Sequence, residues 1–207
     1  MALDASAVRG SLSQAMARSG ATATSALAVD LTTGTTLYER AADTPRIPAS
    51  VEKLFTTAAA LRRFGTDARL ATTVVLDGDL DPEGRLEGDV VLVGGGDPTL
   101  DRSAVARLAR QVRDAGVRRV TGSVLGDESW LDARRGGPRT GGAYDSDMGG
   151  VLGALTLNRG WSARPGGPAL AAARGLVRSL RARGVRVAGR TALGEAPEGT
   201  PPIAAVR

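Results

Sequence analysis

From Leu70 onward, strand-like and helix-like stretches take turns along the chain, and this alternation narrows the fold more than any other feature. Short apolar runs at 70–76 and 89–93 read as strands, separated by a turn-rich stretch, DGDLDPEGRLEG. Gly94 to Pro98 reads as a loop. Residues 104–115 have helical spacing and 119–125 reads as a strand, which gives a βαβ-like order. Residues 132–150, rich in Gly and Arg, read as a long surface loop. A short strand at 151–157, a helix at 170–183 and a strand at 185–192 follow, and PPIAAVR opens a further strand. The fold class is therefore α/β (α+β).

The first 65 residues follow a different pattern. Residues 4–18 read as a helix, because Val8, Leu12, Ala15 and Met16 recur at helical spacing and Gly20 can end it. SALAVDL (25–31), the turn 32–35 and the return strand 36–40 make a β-hairpin. Pro45 and Pro48 bar a helix in the next loop. A second helix starts near Ser50, with Leu54, Ala58 and Leu61 on one face and Gly65 at its C-terminal cap.

Composition removes whole classes of chemistry. The 207 residues contain no Cys and no His. Disulfides, thiol nucleophiles, His-based triads and the usual zinc sites all fall away, and neither a metal nor an organic cofactor is expected. Gly94-Gly95-Gly96 lacks the spacing of a phosphate loop. Without a run of about 18 apolar residues, no membrane span is expected, and residues 1–17 lack the pattern of a signal peptide. The net charge of +5 invites an anionic partner. The basic residues are scattered arginines, however, and aromatics make up only 3% of the chain, so stacking platforms are scarce and no nucleic-acid partner is expected.

Of the 27 basic residues, only Lys53 is a lysine. Arginine does not surrender its proton, whereas a lysine in the right surroundings can. Lys53 follows Ser50 by three positions at a helix start, so the two side chains share a face. Free backbone N–H groups in the first turn can stabilise an oxyanion, and the helix dipole works against a cation there. A neutral Lys53 could then take the Ser50 proton. A serine N-cap with a nearby lysine is also a common surface helix start, so spacing alone leaves both readings open.

Four segments in order carry a family resemblance. RIPASVEKLFTTAAALRRFG is similar to the active-site helix of class C penicillin-binding proteins, the D-alanyl-D-alanine carboxypeptidase/endopeptidase family. SALAVDLTTGTTLYERAADTPRIPAS resembles that family's hairpin and the loop before its serine. GDVVLVGGGDPTL, then VTGSVLGDESWLDARRGGPRT with GALTLNRG, resemble parts of its inserted domain. The Ser-x-x-Lys motif alone would be shared with serine β-lactamases. The resemblance implies a first part of a transpeptidase-like domain at 1–68, an inserted α/β domain at 69–195, and a return to the transpeptidase-like domain from 196. It implies Ser50 as nucleophile, Lys53 as base, and Asp127 as a recogniser of the free amino group on the peptidoglycan stem peptide. A turn aspartate at a strand end is the alternative reading of Asp127. Peptide ending in D-Ala-D-Ala and β-lactams are the implied partners, and the implied location is extracytoplasmic.

The family's other two motifs, Ser-x-Asn and Lys-Thr-Gly, are not expected among these residues. Thr156-Leu157-Asn158 and Arg139-Thr140-Gly141 mimic them but stand in the wrong order and setting. PPIAAVR resembles the stretch leading toward Ser-x-Asn, so the motifs are expected beyond Arg207. The chain is expected to be a cut-short piece, or else a degenerate relative, and inert by itself: losing one oxyanion donor alone costs about two to three decades in rate. The competing functions are a β-lactamase or esterase on the same Ser-Lys core and a non-catalytic wall-binding remnant.

Overall fold

The computed structural model describes residues 4–18, 23–161 and 167–207, and it divides into two compact units, Met1–Thr66 and Asp67–Arg207. In the first unit, helix α1 (Ala5–Arg18) precedes strands β1 (Ala26–Val29) and β2 (Thr36–Arg40), which pair antiparallel as the expected hairpin. Asp4 caps α1 by accepting from the Ser6 and Ala7 amides. Gly20, expected to end that helix, lies outside the described residues. Arg9 and Arg40 tie helix to hairpin by donating to the Leu37 and Met16 carbonyls. A 3-10 turn (Ala49–Val51) leads into helix α2 (Glu52–Phe64), which ends at Gly65, where φ is 80°. This unit buries little: Leu37 is the one core hydrophobic among its described residues.

The second unit is a broad sheet with two helices against it. Strands β3 (Thr72–Leu80) and β4 (Arg85–Gly94) form a long antiparallel ladder. The stretch expected as turn-rich is mostly strand, and the turn itself is only 81–84, closed by Asp81 on the Arg85 amide. Its polar residues misled because these strand ends are exposed. Gly78 and Gly88 face each other across the ladder so closely that a Cβ on either would strike the opposite backbone.

After β4 comes helix α3 (Arg102–Asp114), capped by Asp101 on the Ala104 amide. The expected strand 119–125 is two short ones, β5 (Arg119–Val120) and β6 (Val124–Asp127), both parallel to β4. After helix α4 (Gly167–Arg181), the expected strand 185–192 is likewise split into β7 (Arg186–Val187) and β8 (Thr191–Leu193). The two breaks align. Gly189 donates to the Gly122 carbonyl at 2.8 Å, and neither glycine has room for a Cβ. The sheet order is β7-β5-β4-β3-β9, with β6 and β8 extending β4's other end.

Strand period two places Val74, Leu76, Leu86, Val90 and Leu92 on the face that meets the helices. Leu108 and Val112 of α3 and Leu176 and Leu180 of α4 complete this core. Each fully buried leucine contributes roughly 1.5–3 kcal/mol of transfer free energy. Residues 151–157, expected as a strand, are not one. Leu155 and Leu157 are buried in the core, but the backbone touches the rest only at isolated points, such as Ala154 accepting from Gly96. The last strand, β9 (Ala204–Val206), pairs antiparallel with β3. Gln111 of α3 clamps it, accepting from and donating to Ala205 at 2.8 and 3.1 Å. The segment expected to begin a return to the first part thus ends on the sheet of the second unit.

Candidate active site

The chain reaches Ser50 through a braced loop. Ser25, at the foot of β1, donates to the Ala41 carbonyl at 2.6 Å and accepts from Arg46 at 2.6 Å. Ala41 also accepts from the Thr44 amide. The proline-bounded loop is therefore held at both ends, which sequence reasoning did not detect because the contact joins residues 21 apart.

Ala49 then takes a left-handed conformation, φ 47°, which costs a residue with a Cβ about 1–2 kcal/mol. This sharp bend turns the chain into the 3-10 turn, where the Val51 amide donates to the Pro48 carbonyl at 3.0 Å. Ser50 sits in that turn and Lys53 in the first turn of α2. The Lys53 Nζ donates to the Ser50 Oγ at 3.1 Å, and both side chains are open to solvent. Glu52, the acidic residue of that first turn, suits the helix dipole. The structure thus brings together the two residues that spacing had paired. The apolar side chains of α2 are bare: Leu54, Phe55, Leu61 and Phe64 are all at least half exposed.

Asp127, the third predicted residue, ends β6 in the second unit and is buried. Its Oδ1 accepts from the Ser129 amide at 2.9 Å and its Oδ2 from the Ala196 amide at 2.8 Å. It therefore joins the end of β6 to a segment 69 residues away. It also lines a cavity of about 350 Å³, together with Glu128, Asp132, Glu195 and the apolar Leu131 and Leu193.

The Gly- and Arg-rich stretch beyond it is the expected surface loop, and it is tied down by ion pairs. Arg135 grips Glu128 with two parallel bonds of 2.9 and 2.6 Å and also donates to the Leu152 carbonyl. Arg139 reaches both Asp145 and Asp147. The Asp147 amide first, and then Arg139, hold the Asp145 carboxyl below the usual carboxylate range. Arg139-Thr140-Gly141 lies in and just after a 3-10 turn, not on a strand, and Asn158 opens another such turn. No group of three or more acidic residues among the described ones is placed to hold a metal.

The family model for D-Ala-D-Ala carboxypeptidase 3 (S13) matches residues 8–149, which include the serine turn, α2 and the strands β3 to β6 of the second unit's sheet. The chain belongs to this family. Among curated relatives, a D-alanyl-D-alanine carboxypeptidase of an Actinomadura species is 40% identical over 107 residues, which is 52% of this chain and 20% of that protein. A carboxypeptidase DacB of Mycolicibacterium smegmatis is 42% identical over 101 residues, 43% of this chain and 21% of its own length. The chain spans about a fifth of the curated relatives it matches. Penicillin-binding protein 4 of Haemophilus influenzae has a similar fold: TM-score 0.73 at 16% identity, over 87% of this chain and 55% of that one. The same protein in complex with a β-lactam gives 0.63 at 17% identity over 89% and 55%. The mixed α/β architecture is shared with this neighbour.

Proposed function

We propose that these residues hold the nucleophile half of a serine D-alanyl-D-alanine carboxypeptidase or endopeptidase, with Ser50 acylated and Lys53 as its base. The observation that carries this reading is the 3.1 Å contact between Lys53 Nζ and Ser50 Oγ in an open helix turn. It stands in a chain that has no His or Cys to do the same work and belongs to a peptidase family. The unprotonated Lys53 amine takes the Ser50 proton as Oγ attacks the carbonyl carbon of the D-Ala-D-Ala bond. Collapse of the tetrahedral intermediate expels D-alanine, whose nitrogen receives that proton, and leaves an ester on Ser50. Water then hydrolyses the ester. A β-lactam opens on the same oxygen and leaves no departing group, so its acyl-enzyme persists.

Residues 1–68 are then the first part of a transpeptidase-like domain and 69–195 an inserted domain. The site is incomplete in these residues, since Ser-x-Asn and Lys-Thr-Gly are not among them in usable form. The bare apolar face of α2 and the fraction of the relatives' length that is matched both fit this reading. Asp127, in an acidic cavity, suits the free amino group of a stem peptide. The reaction lies outside the cytoplasm, where the wall substrate is.

The test is a chimaera in which residues 1–207 continue into the remainder of the Actinomadura relative. It is expected to be labelled stably by fluorescent penicillin, with Ser50→Ala unlabelled. Labelling of the Ser50→Ala chimaera would refute the nucleophile. Rapid turnover of nitrocefin would favour a β-lactamase, and no labelling of either form a wall-binding remnant.

A further inference from the structure

The arginines that look scattered along the sequence are gathered by the fold on and just after α3 and α4. Residues 102–120 and 167–190 hold twelve of the 27 basic residues and one of the 22 acidic ones, leaving a net charge of −6 on the rest. Helical spacing places the arginines of α3 and α4 on the surface away from the sheet. Two adjoining clefts gather six of them. The first, about 370 Å³, is lined by Arg102, Arg178 and Arg183, with Gly175 leaving its floor open. The second, about 380 Å³, is lined by Arg174, Arg178, Arg181 and Arg190. Arg178 lines both, so the clefts adjoin at its side chain, on two flanks of α4, and together make one basic groove. No carboxylate lines either cleft, and none of the six takes part in an ion pair among the described residues.

Six guanidiniums without counter-charge repel one another, and an anionic partner relieves that repulsion. Guanidinium matches phosphate in geometry as well as in sign. Neither cleft is lined by an aromatic residue, so nothing there stacks on nucleobases. The large apolar residues of the two clefts, Val105, Leu157 and Val177, are buried, and only the small Ala182 is exposed, so no large apolar side chain is free to enter a bilayer. We propose that this groove binds a linear phosphodiester polymer of the bacterial wall and so holds the protein beside its substrate. The choice of a wall polymer rests on the peptidase reading above; the groove itself does not.

The test uses the 207-residue chain and synthetic poly(glycerol phosphate), with binding followed by fluorescence anisotropy over a range of salt concentrations. The slope of log K against log salt is expected near −3 to −4, at about 0.7 per phosphate contact. Arg174→Gln with Arg178→Gln should reduce that slope by about 1.4 and the affinity about 25-fold at 0.1 M salt. Arg85→Gln with Arg134→Gln, which changes the net charge equally and lies outside the groove, should leave both nearly unchanged. Circular dichroism checks that each variant folds. Equal losses in the two pairs, or no binding at low salt, would overturn the groove. Tighter binding of duplex DNA or of anionic vesicles would overturn the wall polymer. None of these readouts involves Ser50, so failure here and failure of penicillin labelling are separable.

Discussion

Replacing Asp127 separates the two roles proposed for it. Its carboxylate receives two backbone amides, from exposed Ser129 at 2.9 Å and half-buried Ala196 at 2.8 Å. A hydrogen bond to a charged acceptor contributes about 1.5–3 kcal/mol, and a donor left unpaired out of water costs about 1–3 kcal/mol. Water can reach the Ser129 amide in the Asp127→Ala variant, so that bond counts at the low end, about 1 kcal/mol. The Ala196 amide is less accessible and closes a loop of 69 residues, so its loss counts about 2 kcal/mol. Asp127→Ala should therefore lose about 3 kcal/mol, which for a chain of this size lowers Tm by about 6–12 °C. Asp127→Asn keeps the shape and one acceptor but turns an NH2 toward the other amide, so about half that loss is expected. Thermal and urea unfolding, followed by circular dichroism with no substrate present, give the numbers. If Asp127→Ala melts within 2 °C of the parent, the structural role is wrong and the carboxylate is free to serve substrate alone.

Other outcomes follow from single contacts. In the chimaera, Lys53→Arg should cut penicillin labelling by about two to four decades while leaving Tm nearly unchanged, because guanidinium keeps its proton and the side chain is exposed. Asp101→Ala removes the cap of α3 and should cost about 1 kcal/mol at pH 7, read by urea unfolding. The Ala104 amide first, and then the Ser103 hydroxyl, hold the Asp101 carboxyl below its ordinary 3.8, so this stabilisation is present above that pH and disappears as pH falls below it. The parent and Asp101→Ala should therefore converge in stability in acid. Gly126→Ala should destabilise by about 1–3 kcal/mol, since its Cβ would lie 2.6 Å from the Ala169 carbonyl oxygen at the start of α4.

Much of this arrangement was legible in the sequence, and the misses have physical causes. The lone lysine three residues after a serine pointed to the pair that meets at 3.1 Å, because helix geometry fixes neighbours at that spacing. The βαβ order was legible because α3 and α4 carry continuous apolar stripes. The split at Gly122 and Gly189 was not, since each glycine looks ordinary until the two strands lie side by side. The run 151–157 read as a strand because burial, not pairing, selects Leu155 and Leu157. The exposed ends of β3 and β4 read as turn because polar strand residues carry no core signal. The brace of Ser25 and Arg46 and the grip of Arg135 on Glu128 are contacts between separate segments, to which local pattern is blind.

The nucleophile itself can be weighed. Trypsin releases residues 47–53, IPASVEK, in which Ser50 is the only hydroxyl-bearing residue. After penicillin treatment of the chimaera, mass spectrometry should find one opened β-lactam added to that peptide and to no other. An adduct elsewhere, with IPASVEK recovered unmodified from a labelled protein, would contradict the assignment of Ser50.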